Sequence, residues 1–282
     1  MSGKRALPHP GLSGIGLGFF LLAGRGSPLA AQVPADLARE RADFAEWLTT
    51  AVNSPFAAVA MAPLDRGITL GPEDADIPLD GISATRVVPD RSGALLVATA
   101  GPRPLPRRRL QPLGGYTIYL GGTPERMVLT VFGPRRLDRP PSYFGYDPGL
   151  VFDRPLLRAI PQQLRILALD GIEVEATEVG SVLVPFGVVG TRLRVFRVPD
   201  PSEEATELTV YFQDTTNDHG SYPAGRFLAL LPLPDGRVRL DFNRARSPFC
   251  AYSTVYPCPA PWGGNMIPAA VRAGEQYSGG LE

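Results

Sequence analysis

The sequence predicts a mainly β protein, with an antiparallel sandwich or barrel-like core and one N-terminal amphipathic helix. Three observations carry that expectation. Glycine and proline supply 31 residues each of 282 without a Gly-X-Y period, which favours many turns and short strands over long helices. The apolar runs between these breakers are short and of strand length. Only one stretch, residues 34–52, carries a helical repeat.

The chain opens with two positive charges between Met1 and Arg5. An apolar stretch, GLSGIGLGFFLLAG, follows from Gly11 to Gly24, and then small residues from Ser27 to Gln32. This is the layout of a signal peptide over residues 1–31 cleaved near Ala31, and it implies export to a periplasm or to the outside. Fourteen apolar residues rise about 21 Å as a helix, too short for a membrane span, and Arg25 closes the run. A retained anchor is the alternative; after cleavage no membrane span is expected. The rest, residues 32–282, is expected to form a single β-rich domain. Several strands on each side of Tyr143–Arg154 leave room for two lobes, 54–150 and 151–282.

Within that domain, Leu37, Phe44, Trp47, Leu48 and Val52 recur at helical spacing, and Asn53, Ser54 and Pro55 end the pattern. The strands are expected at Leu95–Ala98, Tyr116–Leu120, Met127–Phe132, Val182–Pro185, Leu193–Val198, Leu208–Phe212, Phe227–Leu231 and Val238–Phe242. In the last of these, Val238, Leu240 and Phe242 fall on one face. Arg237, Arg239, Asp241 and Asn243 fall on the other, because strand side chains alternate.

Charge and inventory narrow the function classes. With 28 basic and 28 acidic residues the net charge is zero, so no nucleic-acid partner is expected. Lys4 is the only lysine and His219 the only histidine beyond the leader. Any Ser-His-Asp or Cys-His mechanism must therefore run through His219, and no Gly-x-Ser-x-Gly or His-Glu-x-x-His pattern is present. Asp74, Asp76 and Asp80 faintly suggest a calcium loop, but Pro78 takes a ligand position and the closing Glu is missing. No metal and no cofactor is expected. Residues 103–139 hold eight arginines, from Arg103 to Arg139, against Glu125 and Asp138. They read as solvated loops or as a surface for anionic polymers.

The densest patterns lie in the C-terminal third: FQDTT from Phe212, YPAGRFL from Tyr222, DFNR from Asp241, PFCAY from Pro248, Cys258-Pro259, Asn265, and AGE from Ala273. In order and spacing these resemble the family catalogued as domain of unknown function 1684. Weaker likeness reaches residues 45–90. The chain departs from the family pattern at Arg246-Ser247, at Trp262-Gly263 and across Asn217–Ser221, which leaves His219 outside the motif. The resemblance implies a shared fold and no particular reaction.

Asp241 and Asn243 on one strand face, joined by Asp214, Arg226, Asn265 and Glu275, would form a polar pocket if the strands pair in sequence order. Such a set suits a small polar ligand. The same residues could instead form a buried network of ion pairs and caps, or supply acids and bases for hydrolysis. Cys250 and Cys258, the only cysteines, suit a disulfide in an exported protein, against unlinked buried thiols or a reactive thiol. The expected function is thus a non-catalytic binding module of the cell envelope for a small polar molecule. The alternatives are an envelope hydrolase using those carboxylates, or an interaction protein using the Arg-rich segment. The oligomeric state is not fixed by these patterns.

Overall fold

The computed structural model describes residues 31–91, 93–134, 139–199, 206–260, 262–277 and 279. The segment read as a signal peptide lies outside these residues, apart from Ala31. Helix α1 (Ala35–Thr50) forms where the periodicity placed it. Leu37 and Leu48 are fully buried, while Phe44 and Trp47 are half-buried beside them. Beyond Ala51 the Ser54 hydroxyl donates to the Leu48 carbonyl and accepts from the Phe56 N–H, which turns the chain into a short 3-10 segment, Pro55–Ala57. Among the described residues no helix is long and apolar enough to cross a membrane.

Nine strands follow: β1 (Ala58–Pro63), β2 (Ile68–Gly71), β3 (Ile77–Pro78), β4 (Thr85–Asp90), β5 (Gly93–Ala98), β6 (Gly101–Pro106), β7 (Leu110–Leu113), β8 (Tyr116–Thr123) and β9 (Arg126–Phe132). They make a four-stranded sheet in the order β1-β9-β8-β7 and a five-stranded sheet in the order β3-β2-β4-β5-β6. Every pairing is antiparallel except β2 with β3. Alternation sends Ile118 and Leu120 of β8 and Leu129 and Val131 of β9 into one core with Leu70, Val87, Leu96 and Leu105 of the other sheet. Asp76, considered above as a calcium ligand, instead accepts from the Thr69 N–H at 2.8 Å and the Thr69 hydroxyl at 2.7 Å.

The second half contains β10 (Ser142–Tyr143), β11 (Val151–Pro155), β12 (Leu157–Leu167), β13 (Glu173–Val184), β14 (Thr191–Pro199), β15 (Thr206–Asp214), β16 (Arg226–Pro232), β17 (Arg237–Asp241), β18 (Met266–Ile267) and β19 (Glu275–Gln276). The large sheet runs β11-β17-β16-β15-β14-β13-β12, with β18 parallel to β15, and β10 pairs with β19. Both faces of its centre are covered. Val210 and Phe212 of β15 join Leu228, Leu240 and Phe242 on one side. Tyr211 packs with Phe227 and Trp262 on the other, stacked on Phe227 with ring centroids 4.2 Å apart.

All eight expected runs fall on strands, with Pro185 and Phe242 just past strand ends. One local expectation is corrected. Asp241 and Asn243 do not share a strand face, because β17 stops at Asp241 and Phe242–Arg244 is a 3-10 turn. The cause is the Asp241 carboxylate, which accepts from the Asn243 N–H at 3.0 Å and so closes a turn that competes with the ladder.

Candidate functional site

The six residues singled out in the sequence do not line one pocket, and each is hydrogen-bonded within the protein. Arg226 and Asp214 are brought together in a buried ion pair of 2.6 Å. Arg226 also donates to the carbonyls of Ala273 and, at 2.8 Å, Val271, while Asp214 accepts from the N–H groups of Thr216 and Val271. Gly274, in the middle of the AGE pattern, has φ +75°, and a Cβ there would lie 2.7 Å from the carbonyl oxygens of Phe242 and Ala245. Glu275, beside it, is 2 % exposed; it accepts from the Ser247 N–H at 2.9 Å and from the Tyr252 hydroxyl.

Asn243 accepts from the Asp147 N–H at 2.9 Å and donates to the Asp147 carbonyl and to Asp241. Asp241 in turn accepts from Arg244 at 3.2 Å. Asn265 stands apart, bridging β14 and β15 through the Arg194 N–H, the Arg194 carbonyl and the Tyr211 carbonyl. This many satisfied buried polar groups fix the frame, with Arg226 Nε and Ser247 Oγ left without a partner. Cys250 and Cys258 sit at disulfide distance, with Cα atoms 5.5 Å apart. His219 lies exposed in the turn after β15. Among the described residues no group of three His, Cys, Asp or Glu could hold a metal ion.

Space available to a ligand lies elsewhere, one part of it in a cavity of about 760 Å³ between α1, the β8–β9 face and the second half of the chain. One face of α1 supplies Asp36, Arg39, Glu40, Asp43, Phe44 and Trp47, spaced so that they share a stripe. Tyr119, Thr130 and Phe132 come from β8 and β9. Leu169, Asp170 and Ile172 come from the β12–β13 turn, and Arg246, Phe249 and Tyr256 from the loops after β17. Six rings thus share the walls with seven charged side chains. Phe44 stacks on Trp47 with centroids 5.8 Å apart, Trp47 meets Phe249 at 5.8 Å, and Phe249 meets Tyr256 edge-on at 5.5 Å.

Asp170 is the buried charged group of this wall, 9 % exposed. It sits in an Asp-Gly turn, with its Oδ1 accepting from the Ile172 N–H at 3.1 Å. Gly171 has φ +68°, and a Cβ there would meet the Pro257 carbonyl at 2.7 Å. The turn therefore lies tight against the loop that carries Tyr256. Burial pushes the Asp170 carboxyl up to about 6, opposed only by backbone N–H groups. Its charge helps burial to raise the hydroxyls of Tyr119 and Tyr256. A smaller cavity of about 270 Å³ shares Arg108, Tyr119, Asp170 and Ile172, so Asp170 and Tyr119 border both spaces.

The sequence reading missed Asp170. Its Asp-Gly pair signals a hairpin turn, and nothing local tells that the turn faces a cavity rather than solvent. The Arg-rich segment is partly absorbed by the fold. Arg103 donates to the Pro112 carbonyl, Arg107 to the Gly122 carbonyl, and Arg126 pairs with Glu173 at 2.8 Å. Arg135, Arg136 and Asp138 lie outside the described residues.

Together these features define a mainly β protein with a helix-covered cavity and a buried polar frame centred on the Arg226–Asp214 pair. The frame lies within residues 141–276, which match the family model described as Protein of unknown function (DUF1684). That stretch of the chain belongs to the family the sequence motifs suggested, while the likeness at 45–90 falls outside it. Among solved structures the chain is similar to an uncharacterized protein of Haloarcula marismortui determined by solution NMR. The identity is 34%, over 49% of this chain and 76% of that one, with a TM-score of 0.42. No curated protein matches the chain.

Proposed function

We propose that the protein is a non-catalytic binding module and that its small ligand sits in the 760 Å³ cavity, not among the motif residues. The observation that carries this is the cavity's size and lining. Ligand pockets of roughly 300–1,000 Å³ with apolar walls and a few placed polar groups are the usual seats of small molecules. The motif acids support binding over hydrolysis, since Asp214, Asp241 and Glu275 are each held by donors of the protein. Taken with the export expected from the N-terminal layout, the module would serve in the cell envelope.

A thermal-shift screen of the full chain against sugars, amino acids, nucleotides and arylalkyl amines tests this. A ligand at a hundred times its Kd stabilises by roughly 2.7 kcal/mol, a rise of about 5–10 °C for a domain of this size. Trp47→Ala, checked for folding by circular dichroism, is expected to lose that rise. Asn265→Ala is expected to melt earlier yet keep it. A rise that survives Trp47→Ala but disappears in a folded Asp241→Ala variant would move the site back to the motif.

A further inference from the structure

We propose that the ligand of this cavity is an organic cation, an amine or ammonium group on an apolar ring-bearing body, whose charge pairs with the Asp170 carboxylate. This rests on the binding reading above and adds the chemistry of the ligand. A buried carboxylate is ordinarily matched by a cation of the protein, as Asp214 is by Arg226. Asp170 has none among the described residues: its one hydrogen bond is from the Ile172 backbone. It is more than nine-tenths buried and it borders the cavity. A ligand ammonium would supply the missing partner, and the rings lining the same space favour a cation by their negative faces.

The charged neighbours leave that place open. Tyr119 faces Asp170 from β8 and Tyr256 from the loop before Cys258, both raised and therefore neutral near pH 7. Arg108 lines both cavities but is exposed, and Arg107 donates to the Gly122 carbonyl. On the β13 side Glu173 binds Arg126, and Glu175 is exposed. Across the cavity Arg246 is held by Glu40 at 2.7 Å and lies over the Phe44 ring, while Arg244 takes Asp36 and Glu40. No arginine holds the Asp170 carboxyl down. An anionic ligand would meet an unneutralised carboxylate at this wall.

Isothermal titration of the full chain with matched probes, 2-phenylethylamine, benzyltrimethylammonium and neutral 2-phenylethanol, decides it. At pH 7.5 the cations are expected to bind about tenfold or more tighter than the alcohol, the worth of one charge-assisted contact. The preference is expected to fall to within about threefold at pH 5, where Asp170 takes up its proton, and in Asp170→Asn at either pH. Equal binding of amine and alcohol at pH 7.5, both lost in Trp47→Ala, would overturn the cation and leave the cavity reading standing. A cation preference unchanged in Asp170→Asn would also overturn it. No binding by any of the three would overturn both.

Discussion

At the scale of single residues, the polar groups divide into those the fold has already satisfied and those it leaves for a partner. Glu275 belongs to the first kind, yet it carries a pH signature. Burial pushes its carboxyl up to about 7, although the Tyr252 hydroxyl, the Ser247 N–H and the arginines 246 and 226 all oppose the shift. The folded chain therefore binds this proton more tightly than the unfolded chain does. The group's stabilising contribution is complete below about pH 4.5 and is lost as pH rises through about 7, on the order of 3 kcal/mol in all. Glu275→Gln is expected to remove that slope. Urea unfolding of both proteins at pH 5 and pH 8 checks it, and parallel losses in the two would assign the slope to another group.

At the scale of elements, α1 is fastened to the family-matched stretch by three arginines as well as by its rings. Arg244 reaches Asp36, Glu40 and Asp241, and Arg246 adds a second grip on Glu40. Arg41 returns a hydrogen bond to the Asn243 carbonyl at 3.0 Å and lies over the Tyr143 ring. Isolated surface pairs contribute little, but a shared arginine in a partly shielded network contributes more. Arg244→Ala is expected to cost about 1–2 kcal/mol and to speed amide hydrogen exchange along residues 35–50 before the strands. Loss spread evenly over the molecule would mean that Leu37, Leu48 and the rings hold the helix alone.

The same scale shows what the sequence could and could not tell. The helix and eight strands were legible because apolar periodicity is local. Strands such as β6 (GPRPLP) and β12 were not: the first is broken by prolines, and nine of the eleven residues of the second are exposed. The site was least legible. Sequence reasoning grouped Arg226 and Asp214 with four other polar residues around an expected pocket, whereas the structure joins the two in a buried ion pair. Burial of Arg226 among three backbone carbonyls and a carboxylate is a tertiary fact. Asp170 and Trp47 stand 123 positions apart in the chain, and neither bears any local mark of the cavity they share.

At the scale of the molecule, one hydrophobic core is built from residues 64–131 and another from residues 182–273. The Cys250–Cys258 pair closes the loop that presents Tyr256 and sits next to Phe249. Closing so short a loop contributes about 2.5 kcal/mol by restricting the unfolded chain. The double variant Cys250→Ser/Cys258→Ser is expected to lose about that much in denaturant unfolding. It is also expected to weaken any cavity ligand, since the wall segment is no longer pinned. An unchanged affinity would show that strand packing alone positions Tyr256.

The boundary of the family match cuts through the cavity. Asp170, Phe249 and Tyr256 lie inside residues 141–276, whereas Trp47, Tyr119 and Phe132 lie outside. Asp170 and two of the rings are therefore encoded in the matched stretch, and the helix wall and the other rings in the segment before it. A relative that kept the matched stretch but exchanged the segment before it would keep the same electrostatic socket and reshape its rim. Ligand range could then diversify by drift in residues 35–132 that spares Asp36, Glu40 and Arg41, whose side chains tie α1 to Arg244, Arg246 and Asn243.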